Sequence, residues 1–354
     1  MRKLKPIVVA LAVLASGSAE AQQEPSLEEI RQALVPYASA TDAVTLPDGR
    51  QLAFVCMGEG APTVILTPGA GNNAFSWAPV QPAMAKTPRV CAWDRPGWGL
   101  SDGSAAPQTV ATTTADLEAA LATGRIPGPY IFVGHSLGSY ESLLFADRHP
   151  EQTVGMVLVD PSLPDQFAIM ERVDPRQLPS PEQQDRLLSV FRTCAEQIRT
   201  GALRAGGPDP NNCVTYPSFM PDALKEALAA KVLGNPLQYA SQASFLPSIP
   251  DSSRIVVNPQ RNYQDMPLIV LTATVRPPPQ PGASPEQVAA EAAWDEEWNR
   301  GHDALAALST RGVNARVPGA NHNIQNTRPQ VVIDAVEAVV AEARAAAGTT
   351  SRTP

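Results

Sequence analysis

Basic clusters, metal-ligand spacings and long apolar runs are scarce in this sequence, and each shortage excludes a class of function. The chain of 354 residues has a formal net charge of −8 and a pI near 5.1, and no group of Lys and Arg follows its first five residues. Such a surface does not attract phosphate backbones, so we expect no nucleic-acid partner. The four histidines do not cluster, and the four cysteines match no zinc spacing. We therefore expect no metal and no other cofactor.

The first 21 residues have the organisation of a secretory signal. A basic start over 1–5 is followed by an apolar run over 7–15, and Ala19-Glu20-Ala21 has the small-x-small form of a signal-peptidase site. The apolar run is shorter than the roughly 20 residues that a spanning helix needs, so we expect no stable membrane insertion. The sequence predicts an exported protein, periplasmic or extracellular. It does not indicate an oligomeric state.

All four cysteines follow the predicted signal, at Cys56, Cys91, Cys194 and Cys213. Export would place them in a compartment where disulfides persist. Two bridges can form from four cysteines, in three alternative connectivities.

Apolar runs alternate with segments of helical pattern along the chain. The runs that read as strands cover 51–56, 63–67, 89–93, 130–133, 154–159, 268–273 and 314–317. Helical patterns lie between most of them, for example over 112–122 and 328–346. This order predicts an α/β fold, a mostly parallel sheet with helices on both faces, which binds ligands at the carboxyl ends of its strands.

One long segment interrupts the alternation. Residues 161–265 are rich in Pro and Gln, contain no convincing strand and have amphipathic stretches over 181–205 and 221–233. We predict a helical lid there, inserted between the two parts of the core, 22–160 and 266–344. Residues 276–284 hold four prolines and predict an extended surface loop, and 345–354 predict a disordered tail.

The most informative motif is Gly134-His135-Ser136-Leu137-Gly138. It stands between the predicted strand 130–133 and a helical stretch over 139–146, which is the context of a nucleophile elbow. The turn is so tight that the flanking positions must be small, and Gly134 and Gly138 meet that need. Ser136 is therefore the candidate nucleophile.

Four segments together resemble the α/β-hydrolase fold family, specifically its exported serine hydrolases. They are Thr63 to Gly71, Val90 to Ser101, the elbow, and Gly319-Ala320-Asn321-His322. The resemblance covers roughly 48–160 and 266–344, with Pro68-Gly69 where the family often has His-Gly. It implies a serine hydrolase that cleaves a carboxylic ester or related small acyl substrate through an acyl-enzyme. Dehalogenases and epoxide hydrolases of the fold need a carboxylate nucleophile, which Ser136 contradicts.

The nucleophile needs a base, and imidazole has a suitable pKa. His322 follows the last predicted strand, downstream of Ser136 as the family order requires, and is the candidate. His135 adjoins Ser136, so its ring should point away from the hydroxyl. His149 follows a helix, and His302 lies within a helical stretch. We assign structural roles to these three.

The acid of the triad is harder to assign. The family usually carries it after the strand predicted over 268–273, but no Asp or Glu follows closely there. Asp160 ends the preceding strand at the same edge of the sheet, a placement that some relatives use, and is our candidate. Asp295 and Asp303 are alternatives if the proline-rich loop folds back over the site. Asp265 precedes its strand and should lie at the opposite edge.

The resemblance also implies an oxyanion hole and two disulfides. The backbone N–H groups of Leu137 and Ala70 would hold the oxyanion. In the family's strand order Cys56 and Cys91 lie on neighbouring strands, which leaves Cys194 and Cys213 to pair within the lid. Trp77 and Trp98 could line the acyl pocket, although simple packing is the commoner role of such aromatics.

Three competing interpretations stay open at this point. Gly69-Ala70-Gly71-Asn72-Asn73-Ala74 fits a dinucleotide fingerprint, with Asp94 placed to bind a ribose, which would indicate an oxidoreductase. The same fold could serve a ligand-binding protein without catalysis. A perhydrolase or an acyltransferase would begin with the same acyl-enzyme.

Overall fold

The computed structural model describes residues 26–40 and 42–350, and for Thr349 and Thr350 it describes the backbone alone. The predicted signal, 1–21, lies outside the described residues, as do the last four residues. In the described chain the strands are β1 (Val44–Thr45), β2 (Gln51–Leu52), β3 (Phe54–Met57), β4 (Thr63–Thr67), β5 (Val90–Trp93), β6 (Tyr130–His135), β7 (Thr153–Val159), β8 (Leu268–Ala273) and β9 (Val313–Val317).

The helices of the described chain are α1 (Leu27–Leu34), α2 (Gln81–Met84), α3 (Val110–Ala122), α4 (Gly138–Arg148), α5 (Gln166–Val173), α6 (Pro181–Arg199), α7 (Asp222–Gly234), α8 (Leu237–Phe245), α9 (Ile249–Ile255), α10 (Pro285–Ala306), α11 (Ile324–Thr327) and α12 (Pro329–Thr350). Because α12 continues to Thr350, residues 345–350 of the predicted disordered tail are helical instead. The helix follows the apolar pattern that packs it on the sheet and then extends beyond it.

Strands β3 to β9 form one seven-stranded sheet in the order β3-β5-β4-β6-β7-β8-β9. β3 runs antiparallel to β5, and all other neighbouring pairs are parallel. The mostly parallel sheet with helices on both faces is thus confirmed. The carboxyl ends of β4, β6, β7, β8 and β9 meet at one edge of this sheet, which positions the site described below.

Successive strand residues point to opposite faces, and each face has its own core. Val64 and Leu66 pack on the face covered by α12, whereas Ile65 packs on the face covered by α3, α4 and α10. The central strands β4 and β6 are buried on both faces, which explains their uninterrupted apolar sequences.

The strand predicted over 51–56 is divided in the structure. Gln51–Leu52 pairs with β1 in a small hairpin, and Phe54–Met57 pairs with β5 in the main sheet. Ala53 lies between them, where its N–H donates to Ser101 Oγ at 2.8 Å and its carbonyl accepts from Asp94 N–H at 3.0 Å. The apolar pattern runs through both pieces, but the hydrogen-bonding partner changes at Ala53.

A helical insertion from α5 to α9 separates β7 from β8. Its longest helix, α6, begins at a capping box made by Ser180 and Gln183. The first half of α6 stands largely in solvent, with Leu187 50% and Val190 47% exposed. In the second half, Cys194 and Ile198 are buried. Among the described residues, every helix is too short or too polar to span a bilayer.

Two disulfides join the cysteines in the pairing that the family resemblance implies. Cys56 and Cys91 are register partners on β3 and β5, with Cα atoms 4.0 Å apart. Cys194 on α6 is bonded to Cys213 in the following loop, with Cα atoms 5.7 Å apart. One bridge lies at the edge of the sheet and the other closes a loop of the insertion.

Candidate active site

Ser136 lies at the sharp turn between β6 and α4, with a φ of 51°. Its N–H donates to the carbonyl of Val159 at 3.1 Å, which ties the turn to the neighbouring strand. A Cβ on Gly134 would approach the Gly138 carbonyl oxygen to 2.7 Å, and a Cβ on Gly138 would lie 2.3 Å from the Thr67 carbonyl oxygen. Both positions therefore require glycine, and the turn holds Ser136 in a strained conformation at the carboxyl edge of the sheet.

His322 lies in the loop after β9, close to Ser136. Its Nε2 is 2.9 Å from Ser136 Oγ, a distance at which the hydroxyl donates to the ring. Its backbone carbonyl lies 3.0 Å from His135 Nε2, whose N–H donates to it. His135 thus holds the loop that carries His322, and the centroids of the two rings lie 4.9 Å apart.

Asp160 follows β7 and is fully buried, with a φ of 41°. Its Oδ2 accepts from His322 Nδ1 at 2.7 Å, and its Oδ1 accepts from the Ala273 N–H at 3.0 Å and from Trp298 Nε1 at 3.3 Å. Burial acts to raise the pKa of the Asp160 carboxyl. The hydrogen bond from His322 and the nearby His302 ring outweigh it and hold this pKa below its usual range.

The other histidines occupy packed positions. His302 lies 2.7 Å from Thr272 Oγ1 through Nδ1 and 2.9 Å from the Pro161 carbonyl oxygen through Nε2. Burial lowers the pKa of His135 and of His302 to about 4, so both rings are neutral at neutral pH. His149 caps the end of α4, far along the helix from Ser136.

The alternative acids lie elsewhere. Asp295 Oδ1 is 3.0 Å from Arg276 Nε at the rim of the site. Asp303 is exposed on the outer face of α10, where it binds Arg316 at 3.0 Å and Asn314 at 2.6 Å. Within the described chain neither carboxylate bonds to the ring of His322. The proline-rich loop does turn toward the site, but it brings Arg276 rather than an acid to Asp160.

The two amides predicted for the oxyanion hole belong to the elbow and to the loop after β4. Leu137 follows Ser136 and precedes the first turn of α4, so its N–H adds to the positive end of that helix. Ala70 lies in the loop after β4, which packs on the elbow. Among the described hydrogen bonds, neither amide donates to another group of the chain.

A buried ion pair ties the two segments that carry these amides. Arg95 donates to both carboxylate oxygens of Glu141 on α4, at 2.5 and 2.7 Å, and these side chains are 1% and 0% exposed. The same guanidinium donates to the carbonyls of Gly69 at 3.0 Å and Pro68 at 2.6 Å. The loop after β4 is therefore held against the elbow helix by four charge-assisted bonds.

An open cavity of about 790 Å³ adjoins Ser136 and His322. One wall comes from the beginning of the insertion and the other from the proline-rich loop and α10. Its lining comprises Ser136, Asp160, Ser162, Gln166, Met170, Gln177, Arg276, Pro277, Pro278, Pro279, Gln280, Val288, Glu291, Ala292, Trp294, Asp295, Trp298 and His322.

Trp77 and Trp98 do not line this cavity, which corrects the prediction that they shape the acyl pocket. Trp77 is fully buried and packs edge-on against His135 at 6.4 Å between ring centroids. Trp98 packs against Phe245 of α8 at 5.1 Å and so anchors the insertion. The aromatic residues of the cavity are Trp294 and Trp298, on a helix that the sequence placed outside the predicted lid.

Sequence analysis missed Arg95, Glu141 and Arg276 as parts of the site. Arg95 lies in the segment 90–101 that carries the family resemblance. A charged residue directly after an apolar strand is unusual, and this could have indicated that Arg95 has a buried partner. Arg276 is the first charged residue after β8, at the place where an acid was sought.

The dinucleotide interpretation does not fit the structure. The segment after the glycines forms only a 3-10 turn, Ala74–Trp77, and no α-helix begins there to receive a pyrophosphate. Both carboxylate oxygens of Asp94 are hydrogen-bonded within the protein. Oδ1 accepts from the Ala74 N–H at 2.6 Å, and Oδ2 accepts from the Leu100 N–H at 2.9 Å. Burial raises the pKa of Asp94 to about 6. The described residues also contain no group of three or more potential metal ligands.

Comparison with known proteins agrees with this geometry. The family model described as the alpha/beta hydrolase family matches residues 64–335. An uncharacterized protein of Schizosaccharomyces pombe is 42% identical over 81 residues, which cover 23% of this chain and only 15% of the fungal protein. An uncharacterized protein of Bacillus subtilis is 22% identical over 275 residues, which cover 78% of this chain and 82% of that protein.

Solved structures share the fold at low sequence identity. A putative lipase from Acinetobacter baumannii is 16% identical, with a TM-score of 0.54 over 92% of this chain and 99% of the lipase chain. At this identity the likeness concerns the fold alone.

Proposed function

The chain belongs to the alpha/beta hydrolase family, and we propose that it is an exported serine hydrolase cleaving a carboxylic ester or related acyl compound. One observation carries the proposal. Ser136, His322 and Asp160 form a continuous chain of hydrogen bonds, of 2.9 and 2.7 Å, at the edge of a cavity. A hydroxyl, an imidazole and a buried carboxylate in this order can perform acyl transfer.

In the proposed reaction Ser136 Oγ attacks the substrate carbonyl while His322 Nε2 takes the hydroxyl proton. The Leu137 and Ala70 N–H groups stabilise the resulting oxyanion. The intermediate then expels the alcohol, which receives the proton from His322, and an acyl-enzyme remains. Water attacks the ester carbonyl with His322 again as base, releasing the acid and restoring the Ser136 hydroxyl. Asp160 orients the ring throughout and stabilises its protonated form.

The cavity walls indicate a small or medium-sized substrate with apolar parts. Pro277, Pro278 and Pro279 line the cavity with a stiff segment, and Met170 and Trp294 add apolar surface. Residues 22–160 and 266–344 form the catalytic domain in this proposal, and 161–265 its lid. From the described residues of the lid, Ser162, Gln166, Met170 and Gln177 line the cavity, so selection of the substrate depends also on the proline-rich loop and α10.

Export is part of the proposal and is supported by the signal-like segment 1–21 and the two disulfides. N-terminal sequencing of the secreted protein should find Gln22 first, and a retained leader would contradict cleavage at Ala21.

The experiment that tests the proposal substitutes Ser136→Ala. We expect hydrolysis of p-nitrophenyl esters to fall by about a thousandfold or more, since no other group can form the acyl-enzyme. Ser162→Ala is the matched control, because Ser162 lines the same cavity, whereas the described hydrogen bonds of the His322 ring go to Ser136 and Asp160. Labelling by a fluorophosphonate probe should be lost in Ser136→Ala and kept in the control.

The outcomes separate the alternatives. Unchanged hydrolysis by folded Ser136→Ala would refute the serine mechanism. Absence of probe labelling in the folded wild-type protein would favour a ligand-binding protein. Acyl transfer to an alcohol or to peroxide in preference to water would favour an acyltransferase or a perhydrolase.

A further inference from the structure

Arg276 occupies the place where sequence analysis sought the acid, just beyond β8. Its Nε lies 3.0 Å from Asp295 Oδ1, and its Nη1 lies 3.9 Å from Asp160 Oδ2. The guanidinium stands over the ring of Trp298 at 5.9 Å, and the side chain is 28% exposed. A largely buried cation thus lies between two carboxylates, one of which belongs to the proposed triad.

The oxygen of Asp160 that Arg276 approaches is the one that accepts from His322. Stabilisation of the protonated His322 ring depends on the negative charge of Asp160. A guanidinium beside that oxygen offsets part of this charge, because Asp160 itself is fully buried and solvent screens its carboxylate only weakly. Asp295 attracts the guanidinium away from Asp160 and adds a negative charge of its own.

We propose that Arg276 and Asp295 act as an opposed pair that sets the acidic limit of activity by adjusting the basicity of His322 through Asp160. The inference rests on the proposed function. Arg276 weakens the base and Asp295 restores it, so both are positioning residues and neither touches the reacting atoms.

Other charged groups around Asp160 leave this pair as the adjustable one. His302 on α10 and His135, whose ring centroid lies 4.9 Å from that of His322, are both kept neutral by burial, which lowers the pKa of each to about 4. Glu291 lines the cavity one helical turn before Asp295 and forms no ion pair in the described chain. Arg316 is engaged with Asp303 on the outer face of α10. Arg276 is thus the cation in contact with the acid.

The test is the pH dependence of kcat/KM in the full enzyme. In Arg276→Met the acidic limb should move to higher pH by about half a unit to one unit, since the imidazolium loses a repulsive neighbour. In Asp295→Asn it should move to lower pH by a smaller amount. Arg276→Lys keeps the charge and should leave the limb near its wild-type position.

The double variant Arg276→Met/Asp295→Asn shows whether Asp295 acts through Arg276. If it does, the shift caused by Asp295→Asn is smaller in the Arg276→Met background than in the wild type. An unmoved limb in Arg276→Met, or shifts of the same sign in both single variants, would overturn the inference.

A second readout separates this inference from the proposed function. Titration of the His322 ring by NMR should show the same displacements between variants, and it does not depend on turnover. If Ser136→Ala remains active, the proposed function fails regardless of these shifts. If Ser136 is essential and the His322 titration does not respond to Arg276→Met, only the present inference fails.

Discussion

The carboxyl edge of the sheet and the helical insertion differ in how firmly they are held. At the sheet edge, Ser136, Asp160 and His322 follow three strands of one sheet, and buried hydrogen bonds fix each of them. In the insertion, the first half of α6 is exposed to solvent. A disulfide links its second half to the loop that follows. The residues of the proposed chemistry are therefore held by the sheet, whereas most of the insertion packs beside the site without lining the cavity.

Removal of the negative charge of Asp160 should have the largest effect on activity at the sheet edge. Asp160→Asn should lower kcat by about 10³- to 10⁴-fold, because the amide favours the wrong tautomer of His322 while keeping the shape of the acid. Steady-state kinetics with a p-nitrophenyl ester measures it. Asp303→Asn on the outer face of α10 is the control and should change kcat less than twofold. If Asp160→Asn kept more than a tenth of the wild-type kcat, the acid would have to be sought elsewhere.

The same contrast explains how much the sequence could predict. Ser136 was predictable because strand, tight turn and helix are local features, and two glycines mark the turn. Asp160 was predictable because parallel strands end at one edge, so the end of β7 places its side chain beside β8. The three residues of the proposed triad follow three strands of the sheet, so their positions could be predicted without knowledge of the insertion.

The cavity was not predictable in the same way. Its walls are made by tertiary contacts between α5, the proline-rich loop and α10, which are far apart in sequence. Trp98 turned out to pack on Phe245 of the insertion, a contact without any local signal. Arg276 was hidden in a segment interpreted as a surface loop, since no pattern shows which way an isolated arginine turns.

Lowering the pH should reduce the free energy of unfolding through histidines of the sheet region and not through histidines of the insertion. The insertion holds no histidine, whereas His135 and His302 are buried in the sheet region. Burial lowers the pKa of each ring to about 4, so each contributes stability above pH 6.5 that is lost as the pH falls toward 4. The loss is about 3 kcal/mol in free energy of unfolding for each ring. Urea unfolding at pH 7, 5.5 and 4.5 measures it.

Asp94 should change the free energy of unfolding in the opposite direction in the same experiment. Burial raises its pKa to about 6, so the folded state is favoured as the carboxyl takes up a proton between pH 6 and 4. Asp94→Asn should therefore steepen the acid-induced loss, and His302→Gln should flatten it. Identical slopes in all three proteins would show that these groups do not govern the acid response.

The smallest effect on activity should come from the bridge in the insertion. Closing a loop of 19 residues stabilises by about 3 kcal/mol in the chain-entropy model, so Cys194→Ser/Cys213→Ser should loosen α6 and the loop after it. Hydrogen exchange of α6 should rise, while kcat/KM should change less than threefold because neither cysteine nor any residue of α6 lines the cavity. A tenfold loss of kcat/KM at unchanged stability of β6 and β7 would mean that α6 helps to hold the substrate. In that case α6 would belong, together with α5, to the part of the insertion that forms the site.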